Sequence, residues 1–176
     1  MTILVTGSAG FIGANFVLDW LAACDELVIS VDKLAYAGNH GDGRQVRDWL
    51  YVKDHCAALR CVLAIGTLGG TYNIGGCNKR ANLQVVSTLC EILDTERPRA
   101  DGISYREQVT FVKDRPGHDR RYAIDATNIQ RELSWVPVET FESGISKTVR
   151  WYLDNQDWVS AVTSGAYRER ASRHYQ

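Results

Sequence analysis

The first thirteen residues restrict this chain more than any other stretch. Thr2-Ile-Leu-Val-Thr-Gly-Ser-Ala-Gly-Phe-Ile-Gly13 sets an apolar, β-branched run ahead of glycines at 7, 10 and 13. Ile3 to Val5 reads as a buried parallel strand. Ile12, Phe16, Val17, Trp20 and Leu21 then recur at helical spacing, so a strand passes through a tight glycine turn into an amphipathic helix. Such a turn aims free backbone N–H groups and the positive end of a helix dipole at one point, which suits a pyrophosphate. A second apolar run, Leu27 to Val31, ends in Asp32, near the offset at which an acidic residue takes ribose hydroxyls. The alternative is a strand–helix–strand unit whose glycines serve only turn geometry and close packing.

Composition narrows the class. A net charge of −1 gives no electrostatic case for nucleic acid or a membrane surface, and no apolar stretch approaches the length needed to span a bilayer. The N-terminus opens on a strand without a basic leader, so a cytoplasmic protein is expected. Cysteines 24, 56, 61, 77 and 90 form an odd set with no C-x-x-C pair, which reads as reduced thiols rather than a metal site or disulfide framework.

Beyond Asn39 the pattern of a complete dinucleotide fold stops. A turn-rich stretch leads to Val46–Val52, which alternates as a short strand, and Asp54 is placed to cap a helix from about His55 to Ile65. Thr71–Ile74 reads as a short strand, and Asn82 as a cap for a helix over Leu83–Leu93 with Val85, Val86, Leu89, Cys90 and Leu93 on one face. Thr95–Gly102 is a loop and Val109–Val112 a strand. Helices follow near Thr127–Leu133 and Phe141–Leu153, the latter burying Phe141, Ile145, Val149 and Tyr152; the last dozen polar residues are expected to fray.

Three features of this second part carry chemistry. Arg47 opens a strand after a glycine loop, where its guanidinium fork suits a diphosphate; beside an Asp it also suits a surface ion pair. Asn82, near Gly75, Gly76 and Asn78, offers amide hydrogen bonds or serves as a helix cap. Asp114, Arg115, Pro116, Gly117 and His118 form a shaped loop with two kinds of anion donor, readable as a ligand loop or a solvated turn.

Taken together, several strings closely resemble the dTDP-glucose 4,6-dehydratase family of extended short-chain dehydrogenase/reductases. They are Ile3-Leu-Val-Thr-Gly-Ser-Ala-Gly-Phe-Ile-Gly13, Val31-Asp-Lys-Leu-Ala-Tyr-Ala-Gly-Asn39, Arg47-Asp-Trp-Leu-Tyr-Val52, Tyr72-Asn-Ile-Gly-Gly76, Ser104-Tyr-Arg-Glu-Gln108, Asp114-Arg-Pro-Gly-His-Asp-Arg-Arg-Tyr-Ala-Ile-Asp125 and Glu139-Thr-Phe-Glu-Ser-Gly144. The resemblance implies NAD as cofactor, contacted by Gly7, Gly10, Phe11, Ile12 and Gly13 and by Asp32, Lys33, Leu34 and Ala35. It implies a dTDP-sugar partner held by Arg47, Asn82 and the loop from Asp114 to His118. The family reaction passes a hydride from C4 of the sugar to NAD, eliminates water across C5–C6, and returns the hydride to C6.

One departure governs the rest. Between Asn39 and Gly41 the sequence jumps from the loop after the second strand to the substrate-binding portion. The skipped part holds most of the sheet, the family's Thr-Asp-Glu group and its Tyr-x-x-x-Lys pair. No tyrosine here has a lysine four residues on and no Thr-Asp-Glu string occurs, so no residue is assigned a catalytic role and none a metal. The fold class expected is α/β: an incomplete Rossmann-like βαβ unit, residues 1–40, joined to a small α/β substrate-binding portion, residues 41–176. The first strand should show an open apolar edge unless Thr71–Ile74 moves in to cover it. NAD contact should be confined to the adenosine and pyrophosphate end. The family homodimer is in doubt because its interface helices fall in the gap. Three functional readings follow: a dehydratase by ancestry, a non-catalytic remnant that binds NAD or dTDP, and a fragment completed by a partner chain.

Overall fold

A computed structural model of the chain describes residues 2–32, 43–111, 119–121 and 124–164. The elements run β1 (Ile3–Thr6), α1 (Phe11–Ala23), β2 (Val28–Val31), β3 (Val46–Asp48), α2 (Val52–Ile65), β4 (Lys79–Ala81), α3 (Asn82–Glu96), α4 (Thr127–Leu133), α5 (Phe141–Asp154) and α6 (Gln156–Thr163), with a 3-10 turn at Tyr105–Gln108. Among the described residues the strands form two separate pairs, β1–β2 parallel and β3–β4 antiparallel.

The N-terminal strand–helix–strand unit forms as its periodicity predicts, but it is not buried. In-register residues of a sheet share a face, so Ile3, Val5, Val28 and Ser30 lie on one side and Leu4, Thr6, Ile29 and Val31 on the other. Ile3 is buried, whereas Leu4 is 62% exposed, Ile29 47% and Val31 49%. The expectation of a buried strand is therefore corrected: one face is bare. The α1 stripe behaves likewise, since only Phe16 is buried and both Ile12 and Leu21 are exposed.

The core lies instead in the second part. Ala58 of α2, Ala126, Ile129 and Leu133 of α4 and its entry, and Trp135 form one buried cluster, with Leu50, Cys61, Val62, Tyr72 and Ile74 packed against it. Helices α3 and α5 pack on each other. The N-terminal unit is tied on through α1 and α2. Arg60 lies 5.6 Å over the Trp20 ring and Lys53 Nζ pairs with Asp19 at 2.8 Å, while Phe16 is buried and packs its ring on Trp20. Exposed ion pairs of this kind add little, so apolar packing between the two helices carries most of the attachment.

Several local expectations change. Residues 71–74 are irregular, not a strand, and do not cover β1; Tyr72 is held by its hydroxyl, which accepts from Thr67 N–H at 3.0 Å and donates to Glu132 at 3.1 Å. Residues 109–111 are not strand, and Val112 lies outside the described residues. Strand β3 ends at Asp48 because α2 already begins at Val52. Asp54 is not a cap: it is buried within α2, and its carboxylate accepts the Glu139 N–H at 2.9 Å, tying α2 to the entry of α5. Asn82 is the first helical residue of α3, Ala81 being the cap, whose N–H donates to Gln84 Oε1 at 3.0 Å. Helix α3 extends through Glu96, Tyr152 is exposed, and α6 follows where no helix was expected. The fraying expected over the last dozen residues falls outside the described residues.

Candidate functional site

The glycine turn is built by close approach. Gly7 has φ +68°, a left-handed conformation that glycine adopts without cost, and its N–H donates to Val31 O at 2.9 Å. Gly10 N–H folds back on Gly7 O at 3.0 Å. A Cβ on Gly13 would sit 2.2 Å from Gly7 O and 2.7 Å from Ser8 Cα, so only glycine lets α1 start this close to the strand. Backbone conformation at Gly7 and packing at Gly13 thus account for these glycines without any ligand.

What packing leaves open is the mouth of the turn. Helix α1 starts at Phe11 behind Gly10, with no side-chain cap and no acidic residue in its own first turn. Phe11 and Ile12 are exposed on that first turn. Asp32 stands beside the turn, its Oδ2 accepting the Ala9 N–H at 2.9 Å. An open helix N-terminus with an acidic neighbour fits the pyrophosphate and ribose of a dinucleotide. Lys33, Leu34 and Ala35 lie outside the described residues.

Arg47 and Asn82 are brought together by the β3–β4 pair. Arg47 lies opposite Arg80, and Asn82 follows two residues on, its N–H donating to Gln45 O at 3.0 Å. Arg47 donates from Nη1 to Val46 O at 2.9 Å and from Nη2 to Asp119 O at 3.0 Å. Residues 119–121 run alongside: Val46 N–H donates to Arg120 O at 2.9 Å, and Val46 bridges Arg121 in parallel. Arg47 therefore sits against the exit of the Asp114–His118 loop, whose own five residues lie outside the described residues. Asn82 is half-buried.

Sequence reasoning missed two supporting residues. Asp48 accepts N–H bonds from Gly76 at 2.9 Å and Asn78 at 2.7 Å, and a Cβ on Gly75 would lie 2.6 Å from it, so this carboxylate shapes the Gly75–Asn78 turn beside Asn82. Arg80 lies 4.3 Å over the Phe141 ring and pairs with Glu142 at 2.6 Å, anchoring β4 to α5. Only strand register reveals either role. A cavity of about 270 Å³ joins the two parts, reaching from Phe11 to Trp49, Tyr51, Leu89, Phe141 and Ile145. Among the described residues no group of His, Cys, Asp and Glu is arranged to hold a metal, and no helix is long and apolar enough to cross a membrane.

Residues 33–148 match the family described as GDP-mannose 4,6 dehydratase. The chain is 53% identical over 148 residues to a dTDP-glucose 4,6-dehydratase of Xanthomonas campestris pv. campestris, covering 82% of this chain and 42% of that one. It is 59% identical over 137 residues to the Salmonella typhimurium enzyme of the same name, covering 78% of this chain and 37% of that one. Among solved structures, the dTDP-glucose 4,6-dehydratase of Bacillus anthracis in complex with NAD superposes with a TM-score of 0.59 at 34% identity, covering 89% of this chain and 45% of that chain. The Streptomyces venezuelae enzyme with NAD and TYD bound gives 0.60 at 31% identity, with 89% and 44% covered. The chain belongs to the nucleotide-sugar 4,6-dehydratase family of extended short-chain dehydrogenase/reductases, and within it to the dTDP-glucose 4,6-dehydratase group. Its fold is an incomplete version of theirs, and it spans about two fifths of the length of the relatives it matches.

Proposed function

We propose that this chain is a contracted dTDP-glucose 4,6-dehydratase that keeps two nucleotide-contacting surfaces and does not complete the dehydratase reaction by itself. The observation that carries this reading is the Arg47–Asp119 bond, which sets one candidate for holding dTDP beside the residue that follows the Asp114–His118 stretch in sequence, while the 176 residues contain no Tyr-x-x-x-Lys pair. Arg47 offers a fork of donors for a diphosphate and Asn82 adds an amide; Asp114, Arg115, Pro116, Gly117 and His118 are further candidates for the same ligand.

At the other surface, the amides of Phe11, Ile12 and Gly13 hold a pyrophosphate, and Asp32 takes ribose hydroxyls. The residues fit the adenosine and pyrophosphate end of NAD; in the family reaction NAD accepts and returns the hydride. Proton transfer to and from the sugar requires groups within hydrogen-bond reach of it, and the family's own are absent from this sequence. Thermal unfolding with and without dTDP tests the reading. A rise in melting temperature with dTDP, abolished by Arg47→Ala, is expected; no ligand-dependent shift in the intact chain contradicts it.

A further inference from the structure

The cavity between the N-terminal unit and the second part has the lining of a ligand site. Phe11 of the first turn of α1, Trp49 and Tyr51 ahead of α2, and Phe141 at the start of α5 all line it. Val85 and Phe141 are buried whereas Phe11 is 58% exposed, so the cavity has a closed floor and an open rim. Two glycines shape the wall. A Cβ on Gly76 would lie 2.3 Å from Trp49 O, and one on Gly144 would lie 3.1 Å from Tyr51 Cβ. Among the described residues of the lining, Glu139 alone is charged. Its carboxylate is already committed, accepting from Ser143 Oγ at 2.7 Å and pairing with Lys147 Nζ. Thr148 likewise spends its hydroxyl on Gly144 O at 2.8 Å. The Tyr51 hydroxyl, by contrast, makes no hydrogen bond to a described residue.

We propose that this cavity binds an uncharged, planar heteroaromatic ring system with a hydrogen-bond acceptor on its rim. An apolar cavity of roughly 150 Å³ takes benzene. The volume here, about 270 Å³, leaves room for two fused rings. Flat rings gain from offset-stacked and edge-on contact with aromatic walls beyond what their area alone supplies. Charge selects against ions. A cation would find the Glu139 carboxylate already paired with Lys147, and an anion would meet that carboxylate as a like charge. Apolar walls with a free polar donor are what a small-molecule site offers, and the Tyr51 hydroxyl is a donor that suits an acceptor. Such a ring touches both parts of the chain, since Phe11 belongs to the first and the rest of the lining to the second. The proposal stands apart from the nucleotide surfaces, which use the Phe11 amide and not its ring.

Titration of the full chain with quinoline, at a pH where that ring is neutral, should give saturable one-to-one binding by ligand-observed NMR. N-methylquinolinium, of similar shape with a fixed charge, should bind about tenfold more weakly or not at all. Phe11→Ala removes an exposed wall and should weaken quinoline by about threefold or more. Ile145→Phe fills the cavity and should weaken it by about tenfold or more. Tyr51→Phe should weaken quinoline about fivefold and leave naphthalene, which has no acceptor, unchanged. Leu68→Lys, at an exposed site outside the lining, should change nothing. Far-UV dichroism checks the fold of each variant, and if Ile145→Phe unfolds, Phe11→Ala and Tyr51→Phe decide. The proposal is overturned by no saturable binding, by more than one quinoline per chain, or by equal affinity for the charged ring. It is overturned equally by an affinity that ignores both Phe11→Ala and Tyr51→Phe.

Discussion

The N-terminal strand–helix–strand unit and the segment from β3 to α5 come from one family pattern, yet they differ in what covers them. In the second, Ile129 is fully buried and Ala58 beside it likewise. In the first, Ile29 and Val31 have the same chemistry and face solvent. Ile29 on a strand and Ile129 on a helix are the same residue type; only a second packed layer makes one of them core. The comparison teaches that the first unit keeps its local geometry through glycine packing and the α1–α2 contact, while the second carries the cooperative stability.

The widest gap between them should appear on removing matched side chains. Ile129→Ala is expected to cost about 2–5 kcal/mol in denaturant unfolding, and Ile29→Ala about 0.5 kcal/mol or less. Equal losses would mean that the first unit has a core of its own. Gly13→Ala comes next, at about 1–3 kcal/mol, because the added methyl meets the Gly7 carbonyl. It should also abolish any NAD-dependent rise in melting temperature while leaving the dTDP-dependent rise in place. Loss of both would show that the surfaces are not separable.

Within the second part, Asp54→Ala leaves the Glu139 N–H without its acceptor and should cost about 1–3 kcal/mol. Retention of full stability would show that this link between α2 and α5 is dispensable. The smallest effect concerns His55, whose burial lowers its pKa below the usual 6.5. The unfolded chain then binds the proton more readily, so stability should rise with pH through the window below 6.5 and level off above it. His55→Gln should flatten that rise, as read from melting temperatures across the window.

Apolar spacing at helical period located α1, α2, α3 and α5, and α4 also lies where a helix was expected. It misplaced both caps for one reason: Asp54 and Asn82 are good capping residues by type, but Tyr51 and Ala81 hold the cap positions, and Asp54 serves a partner 85 residues away. Long-range acceptors leave no trace in local sequence. Thr71–Ile74 reads as a strand but has no neighbour to pair with, so the same residues pack as an irregular segment against α4. Of the candidate sites, the glycine turn was legible as a complete local motif. The approach of Arg47 to Asp119 was not, because it depends on a β pairing between segments more than seventy residues apart.

Mass spectrometry of dTDP-glucose incubated with the purified chain and NAD tests the central claim most directly. The claim predicts unchanged dTDP-glucose at protein concentrations where dTDP raises the melting temperature. Appearance of the dehydrated 4-keto-6-deoxy product would contradict it.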